Sequence, residues 1–565
     1  MRSSHALRLL LASAMPAFAA AYGGPGSPLL QAQVASPTSA ATELRAIVAS
    51  GRLDDLRWPD FSDYRKHLVD FYEPAGYAPA WVRAGAPSPQ ALALIARFRD
   101  SWKKGLDPEA YDASRWDARL AGLRSPGADP SRFDAALTVC AMRLVSDLRI
   151  GRIHPKHLGL DLDVEGKKYD LPRFVRERLV DASDVAAVLD SVEPPFGGYR
   201  RTEAALARYV EIAPRDSGRP LPVPAKAVRR GQPYEGAARL RELLALVGDL
   251  PAAAAAPADP GVFDAALSDA VESFQRRHGL DADGRLGAAT VKQMNVPLAD
   301  RVRQLQLSLE RWRWLPETFS APPIVVNIPD FRLRALDETN RVALEMRVVV
   351  GKAMRHETPV FSRDMTYVVI RPYWNVPASI RRGEIVPAIQ RDRDYVARKR
   401  YEVTTPAGKV VTDGTISDDV LAKLKAGQLA VRQKPGPGNS LGLVKLMFPN
   451  QYNVYLHDTP AGALFAKSRR DFSHGCIRVE KPDELAAWVL RGSADWPLER
   501  VRAAMQSGPD DVTVRLARPI PVYIVYATAL AYENGEVHFY DDIYGHDAAL
   551  TRALAAGYPY PYPYR

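Results

Sequence analysis

The chain has 565 residues, 47% of them hydrophobic and 25% charged, with a formal net charge of +10. This length predicts several domains rather than one, and the composition is that of a soluble globular protein. The basic balance suits an anionic neighbourhood such as a cell wall or a membrane face. The basic residues are scattered along the chain and not clustered in runs, which argues against nucleic acid as a partner.

The N-terminus has the organisation of a signal peptide. The stretch "MRSSHALRLLLASAMPAFAAAYGG" starts with positive charge, continues with a short apolar run, and contains an Ala-Phe-Ala cleavage site. The sequence therefore predicts a signal peptide over residues 1–21, with an uncleaved N-terminal anchor as the alternative. Residues 22–42 are rich in Ala, Gly, Pro and Ser, which predicts a flexible leader.

Residues 43–250 are predicted to form a mostly helical scaffold. Apolar residues recur at three- and four-residue spacing, as in "ALALIARFRDSWKKGL" and "GAARLRELLALVGDL", the pattern of amphipathic helices. The stretch "HPKH" (154–157) places two histidines close together, but no carboxylate or cysteine cluster accompanies them, so no metal site is predicted there. The Ala- and Pro-rich segment "PAAAAAPADPG" (251–261) is predicted to be a linker.

A small module is predicted over residues 258–297. Leu267, Ala270, Val271 and Phe274 fall on one helical face, and Gly279 stands where a left-handed cap ends the helix. The segment "AVESFQRRHGLDADGRLGAAT" resembles the three-helix peptidoglycan-binding module of bacterial wall enzymes. That resemblance implies binding to the cell wall or, alternatively, service as a spacer.

After a connecting helix over 298–320 the periodicity changes to that of strands. Short runs rich in Val, Ile and Tyr, such as "PIVVNIPDFRLRAL" and "TYVVIRPYWNV", predict a β-rich domain over 321–514. Within it, residues 378–430 are charged and helix-like, which predicts a helical insertion that acts as a lid. A C-terminal hairpin and helix are predicted over 515–556, and a disordered tail over 557–565. The predicted fold class is α+β with several domains.

The chain has two cysteines, Cys140 and Cys476. An exported protein usually uses its cysteines in disulfides, but these two are 336 residues apart, so a bridge is the less favoured alternative. Cys140 lies in the helical pattern "AALTVCAMRLVSDL", where cysteine behaves as a small hydrophobic residue. Cys476 is therefore predicted to be a free thiol.

Cys476 follows "SHG", and His457 lies 19 residues before it at the end of a predicted strand. A thiol has a pKa of about 8.5, so we expect a neighbouring imidazole to hold it as thiolate at neutral pH. Cys-His pairs attack acyl carbons and form thioesters. Spacing alone does not choose the base, because His474, two residues before Cys476 in an extended segment, also shares its face. The N–H groups of Gly475 and Cys476 are candidates for an oxyanion hole.

The segment from His457 through "SHGC" resembles the active-site signature of the L,D-transpeptidases, the YkuD-type domain. The likeness extends through "VVVGKAMRHETPVF", "YWNVPASI" and "KPGPGNSLGLVKLMFPN". Together with the helical region, the module and "LERWRWLP", the chain resembles the large scaffold-bearing branch of that family in gram-negative bacteria. The resemblance implies that Cys476 is the nucleophile and His457 the base. It also implies that Ser473 and His474 shape the loop, with His474 or the Gly475 and Cys476 amides holding the oxyanion.

Three further side chains are predicted to contact substrate. Arg478 stands where many members of the family carry Asn, and its guanidinium suits a stem-peptide carboxylate. A salt bridge from Arg478 to Glu480 or Asp483 is the alternative. Tyr455 precedes the predicted base by two residues and shares its strand face. Trp374 is a candidate aromatic wall of the cleft, with a place in the core as its alternative.

The resemblance implies acyl transfer between peptidoglycan stem peptides in the periplasm, without cofactor or metal. The thiol takes the third residue of a tetrapeptide stem, releases D-Ala, and passes the acyl group to the side-chain amine of another stem. Carbapenems are the implied covalent inhibitors, and no partner among the wall-synthesis proteins is indicated. Water as the acceptor would make a carboxypeptidase-type hydrolase, and a lipoprotein amine an anchoring enzyme. A wall-binding scaffold without activity is the third alternative.

Overall fold

In the computed structural model, residues 37–125, 128–252, 259–493 and 495–558 are described. The predicted signal peptide and most of the predicted leader lie outside these ranges. The end of the leader was wrongly assigned, because helix α1 begins at Pro37. Ala40 and Leu44 of that helix are buried, so the first turns are held by packing that an Ala-rich sequence does not reveal. Within the described ranges, no helix has the length and apolar character that crossing a bilayer requires.

The N-terminal region is built on one long buried helix, α5. Asp129 caps its start by accepting from the Ser131 N–H, and Pro130 occupies the first turn, a combination typical of helix N-termini. Cys140 lies fully buried in α5 and is not in a disulfide. The helices here are α1 (Pro37–Ser50), α2 (Arg65–Tyr72), α3 (Pro89–Arg99), α4 (Trp116–Gly122), α5 (Pro130–Ile150), α6 (Leu171–Phe174), α7 (Val185–Asp190) and α8 (Gly197–Ile212), with a small hairpin of β1 (Val82–Arg83) and β2 (Ala86–Pro87).

A compact helical module follows and begins earlier than predicted. It contains β3 (Gln232–Pro233), α9 (Ala237–Val247), β4 (Val262–Phe263), α10 (Ala265–Arg277) and α11 (Ala288–Met294). Leu244 of α9 shares one apolar core with Leu267 and Val271 of α10, and β3 pairs with β4 across the predicted linker. Gly279 has φ +64° just after α10, which confirms the left-handed cap. The predicted connecting helix is α12, Leu298–Trp312.

The C-terminal half is built on a nine-stranded sheet that closes on itself. Its first strands are β5 (Ile324–Asn327), β6 (Arg332–Leu336), β7 (Val342–Gly351) and β8 (Phe361–Ile370). An insertion follows, and it is only partly helical: α13 (Ala378–Ile380), α14 (Val386–Arg391), α15 (Tyr395–Arg398) and α16 (Asp418–Lys425) accompany β9 (Trp374–Asn375), β10 (Tyr401–Thr404), β11 (Val410–Thr412) and β12 (Ala430–Gln433). These strands form a separate four-stranded sheet. Strand β9 ends the run "TYVVIRPYWNV", which predicts strand. Strands β10, β11 and β12 are runs of three or four residues between charged neighbours, which do not show a strand period, so the sequence missed them.

The chain returns to the main sheet after the insertion. The remaining elements are β13 (Val444–Met447), β14 (Leu456–His457), β15 (Asp471–Ser473), β16 (Ile477–Val479), α17 (Pro482–Val489), α18 (Leu498–Ser507) and β17 (Val512–Val525). The strand order is β15-β7-β16-β14-β13-β8-β17-β5-β6, and β6 also pairs with β7. The predicted boundary at residue 514 is wrong, because β17 continues to Val525 by pairing with both β8 and β5.

The predicted C-terminal hairpin and helix are present as β18 (Ala529–Ala531), β19 (Val537–Phe539) and α19 (His546–Ala555). The predicted disordered tail is wrong at its start. Tyr558 is 7% exposed within the core of the N-terminal region, and its hydroxyl donates to the Asp147 carboxylate. A repetitive Tyr-Pro tail gives no sequence signal for such an anchor. Residues 559–565 lie outside the described ranges.

Candidate active site

The thiol and the imidazole lie on the same face of the main sheet. Strands β14 and β16 are parallel neighbours, with Leu456 opposite Ile477 and His457 opposite Arg478. Leu456 and Ile477 point into the apolar core, so the alternate residues point to the other face. His457, Arg478 and Cys476 therefore share the outer face, with the thiol diagonal to the imidazole. Cys476 is a free thiol.

The environment of His457 fixes its tautomer and its charge. The side chain is 4% exposed, and Nδ1 lies 2.5 Å from the backbone oxygen of Asp458. Because a carbonyl can only accept, Nδ1 carries the proton and Nε2 keeps its lone pair. Burial, and then the positive charge of Arg478, lower the pKa of His457 to about 3. The imidazole is therefore a neutral base at physiological pH.

The Asp458 side chain holds the turn that carries this carbonyl. Its carboxylate accepts from the Leu443 N–H at 2.8 Å and from the Thr459 N–H at 2.6 Å. Gly442, with φ +62°, packs against the Asp458 side chain. No larger residue fits at this position, because a Cβ there would lie 2.2 Å from the Asp458 Oδ2 atom. The glycine of "NSLGLVK" thus makes room for the residue that orients the base.

Cys476 is partly buried, and its Sγ lies 3.5 Å from the Asn453 carbonyl oxygen. Burial raises the pKa of the Cys476 thiol above that of an ordinary thiol. The expected thiolate held by an imidazolium is therefore not the resting state. Desolvation disfavours both charged forms at once, so the pair rests as neutral thiol and neutral imidazole.

The loop before the thiol is fixed by hydrogen bonds. The Ser473 hydroxyl accepts from the Gly475 N–H at 3.1 Å and donates to the Cys476 carbonyl at 2.6 Å. Gly475 has φ +112°, a conformation that favours glycine. Its carbonyl accepts from the Thr358 hydroxyl at 2.8 Å. Because the Gly475 amide is already bonded, it is not free to hold an oxyanion, whereas the Cys476 N–H has no partner among the described residues.

His474 points away from the thiol and toward the insertion. Its Nε2 lies 2.7 Å from the Glu384 carboxylate, and its ring centroid lies 4.7 Å from that of His356. The structure therefore pairs His474 with Glu384 and His356, and the choice of His457 as the base stays a prediction. Glu384 and His356 were missed, because nothing in a charged insertion or a surface loop marks one residue as a neighbour of the thiol loop.

Tyr455 and Trp374 contact each other near the thiol, and Trp374 also packs against the apolar core of the insertion, which was its alternative environment. The Tyr455 ring centroid lies 5.7 Å from that of His457. Burial is the main cause that raises the pKa of the Tyr455 phenol, and the nearby Cys476 thiol is the second. The same phenol forms a hydrogen bond with the Trp374 side chain. Lys445, which the sequence analysis missed, places its Nζ 4.0 Å from the Tyr455 ring centroid. The alternation in "LVKLMF" was the available signal, because buried neighbours on both sides turn Lys445 outward.

The salt-bridge alternative for Arg478 is wrong. Glu480 pairs with Arg347 at 2.6 Å, and Asp483 pairs with Arg502 at 2.7 Å. In the part of the chain that the structure describes, the Arg478 Nε atom is buried without a hydrogen-bond partner. Arg478 therefore faces the site as an uncompensated cation.

Comparisons with known proteins give three family matches. The model described as "L,D-transpeptidase catalytic domain" (YkuD) matches residues 322–509. The model described as "Scaffold domain" matches residues 66–206. The model described as "Putative peptidoglycan binding domain" matches residues 235–294, and so includes helix α9, which the sequence analysis had placed in the scaffold.

A protein of Haemophilus influenzae named "Putative L,D-transpeptidase" is 31% identical over 264 residues, which are 47% of this chain and 51% of that protein. The chain thus spans about half the length of this relative. A solved structure, the L,D-transpeptidase (Yku) from Stackebrandtia nassauensis, is 14% identical, with 54% of this chain and 97% of that chain covered. Its TM-score is 0.21, too low to support any argument about this fold.

Proposed function

Since the chain carries an L,D-transpeptidase catalytic domain of the YkuD family, with a scaffold domain and a peptidoglycan-binding domain, we propose that it cross-links peptidoglycan through a thioester on Cys476. The donor is a tetrapeptide stem, and the acceptor is the side-chain amine of another stem. The observation that carries this proposal is the placement of a free thiol and a neutral, oriented imidazole on one face of adjacent strands.

In the first step the Cys476 thiol attacks the carbonyl of the third stem residue. The S–C bond forms while the thiol proton passes to Nε2 of His457. The C–N bond to the terminal D-Ala then breaks, and the proton on His457 goes to the leaving amine. The Cys476 N–H is the donor left free for the oxyanion, since Ser473 already holds the Gly475 amide.

In the second step the amine of another stem attacks the thioester carbonyl. Its nitrogen loses a proton to the His457 Nε2 atom, the C–S bond breaks, and the sulfur takes that proton back. The pair thus returns to its neutral resting state. Water as the attacking group would give a trimmed stem instead of a cross-link, so the acceptor decides between transpeptidase and hydrolase.

The insertion stands over the same face and is proposed to act as the lid of the cleft. Trp374 on its first strand meets Tyr455, and Glu384 meets His474 of the thiol loop. The module is proposed to hold the enzyme at the cell wall, and the periplasm is the proposed compartment. A carbapenem is the expected covalent inhibitor, because its strained lactam carbonyl is open to the same thiol.

Product analysis tests this function. The purified protein is incubated with disaccharide-tetrapeptide, and the products are separated and weighed by mass spectrometry. We expect a cross-linked dimer and free D-Ala from the native protein, and neither from the Cys476→Ala variant. Trimmed monomer alone would identify a hydrolase, and dimer formation by Cys476→Ala would contradict the mechanism.

A further inference from the structure

Two cations flank the catalytic imidazole on the thiol face. Lys445 of β13 lies opposite His457 of β14, and His457 lies opposite Arg478 of β16. The three side chains therefore form one row across three neighbouring strands, with the cations two strand spacings, about 10 Å, apart. The Lys445 ammonium leans over the Tyr455 ring toward the thiol, with Nζ 4.0 Å from the ring centroid.

Neither cation is neutralised by the protein. Among the described residues no carboxylate oxygen lies within 4.0 Å of either charged group. The negative charge of Asp511 acts on Lys445 from a distance. The Asp511 Oδ1 atom instead accepts a hydrogen bond from the Tyr373 N–H at 3.4 Å. The Arg478 Nε atom is buried and has no hydrogen-bond partner in the described part of the chain. Partly buried cations are normally paired, so an anion from outside the chain is the expected partner.

We propose that Lys445 and Arg478 together bind the carboxylate that sits one carbon from the reacting nitrogen. This inference rests on the proposed transpeptidation. The leaving D-Ala is an amine on a carbon that also bears a carboxylate. If the third stem residue is a diaminodicarboxylic acid, the attacking side-chain amine has the same arrangement. One carboxylate site therefore serves the leaving group in the first step and the acceptor in the second.

The proposed carboxylate site predicts two properties of the reaction. A carboxylate held beside the thiol fixes the nitrogen next to the thioester, which favours an amino acid over water as the acceptor. It also selects stems that end in a free carboxylate over stems whose end is blocked. Lys445 is thus a specificity residue, in contact with substrate, and not a part of the thiol-imidazole pair.

The test compares two donors that differ only in this group. One is the disaccharide-tetrapeptide with its terminal carboxylate, and the other is the same donor with a terminal carboxamide. The kcat/KM for release of D-Ala or D-alaninamide is measured for the native protein, Lys445→Met, Lys445→Arg and Lys103→Met. Lys103 is a matched control, because it lies half exposed on the N-terminal region, where it pairs with Asp100 and stacks on Trp102.

The native protein and Lys103→Met are expected to prefer the carboxylate donor by about 10- to 100-fold, the factor that a charge-assisted hydrogen bond supplies. Lys445→Met should lose most of that preference, while Lys445→Arg keeps it. In the same assay, added D-alanine should divert the native thioester from hydrolysis to exchange, and Lys445→Met should hydrolyse more of it.

Equal loss by Lys445→Met on both donors would overturn the proposal, because Lys445 would then act only through the thiol or the imidazole. An unchanged preference would overturn it as well. If Lys445→Met does not fold, two other variants decide the matter. Loss of the preference for the carboxylate donor in Lys445→Arg would overturn the proposal. Retention of that preference in Arg478→Gln would overturn it as well. Absence of turnover in the native protein on either donor would instead refute the proposed function, and this inference with it.

Discussion

Cys476 and His457, the proposed nucleophile and base, illustrate how burial sets the charge of two neighbouring groups. The sequence marks both residues, and the structure places them on the same face of neighbouring strands, but burial decides their protonation. Burial lowers the pKa of His457 to about 3 and raises the pKa of the Cys476 thiol. Proton transfer must therefore accompany attack on the carbonyl, because no thiolate waits in the resting site.

This charge state predicts how Cys476 reacts with iodoacetamide. Only the thiolate reacts, so the alkylation rate should stay low from pH 5 to 7 and rise through a pKa above that of an ordinary thiol. Peptide-level mass spectrometry separates this signal from that of Cys140, which is fully buried. A fast, pH-independent plateau between pH 5 and 7 would show a preformed thiolate and contradict the assignment.

The Gly442→Ala variant is expected to lower activity by displacing the turn that orients His457, although it leaves the His457 side chain unchanged. The new Cβ would lie 2.2 Å from the Asp458 Oδ2 atom, at a φ of +62°. Backbone strain and overpacking together should cost roughly 2–4 kcal/mol of stability, and the displaced turn should lower kcat at least about 100-fold. Chemical denaturation and D-Ala release measure both effects.

Gly76→Ala in the N-terminal region is the control for that change. It has φ +60° but no heavy atom within 4 Å of the added Cβ, so only the backbone strain is present. We expect a stability loss of about 1–2 kcal/mol and unchanged turnover. Full activity in Gly442→Ala would mean that the Asp458 turn does not position His457.

Sequence reasoning at this scale finds residues that a motif or an alternation marks. The active-site signature marks Cys476 and His457, and strand alternation marks Tyr455, which lies beside both in the structure. The roles of these residues and of Trp374 stay predictions. Glu384 was not expected, because it reaches His474 from another element. Contacts of this kind depend on how an insertion folds back, which one-dimensional spacing does not contain.

At the scale of elements, the insertion has a sheet and an apolar core of its own. Its own apolar core contains Ile385, Ile389, Val403 and Val431 and is separate from that of the main sheet. A partial deletion within the insertion would break this core. A variant that tests the lid therefore removes residues 376–431 and joins the flanks with a short turn, because Asn375 and Arg432 are paired neighbours in the small sheet.

The excised variant should keep the fold of the main sheet and lose transfer activity. The main core, which holds Val348, Leu446 and Ile477, receives no side chain from residues 376–431. Removal of the cover should also speed alkylation of Cys476, since the thiol becomes more exposed. Circular dichroism, alkylation rate and dimer formation are the measurements. Native turnover in the excised variant would dismiss the lid.

Periodicity predicted long elements well and short ones poorly. The amphipathic pattern of α10 and the hairpin of β18 and β19 were expected and are present. Strands β10, β11 and β12 of the insertion are each three or four residues long, too short for a period of two to stand out from the charged background. Helix α9 was assigned to the wrong unit, because helicity alone does not tell which core a helix joins.

At the scale of the whole molecule, the C-terminal segment contacts the module, the main sheet and the N-terminal region. The Arg277 guanidinium of the module donates to the Val537 carbonyl of the hairpin at 2.6 Å. The Tyr544 hydroxyl donates to the Gly351 carbonyl at 2.5 Å, beside the strand that leads to the thiol loop. The chain end then reaches back to the N-terminal region through Tyr558. None of these long-range contacts has a local sequence signal.

Tyr558→Phe should therefore weaken the N-terminal region. The hydroxyl is one of two that donate to the buried Asp147, the other being that of Tyr111 at 2.7 Å. Its loss should cost about 1–3 kcal/mol of unfolding free energy, because a buried carboxylate loses a donor. Tyr395→Phe, whose hydroxyl has no hydrogen-bond partner among the described residues, is the matched control. Equal denaturation midpoints for the two variants would refute the anchor.

The central claim is that one thiol carries the acyl group. The direct measurement is the mass of the protein quenched in acid during turnover of the disaccharide-tetrapeptide, followed by mapping of the modified peptide. We predict an adduct of the donor minus D-Ala on the peptide that contains Cys476, removed by hydroxylamine and absent from Cys476→Ala. An adduct on another residue, or D-Ala release by Cys476→Ala at the native rate, would contradict the account.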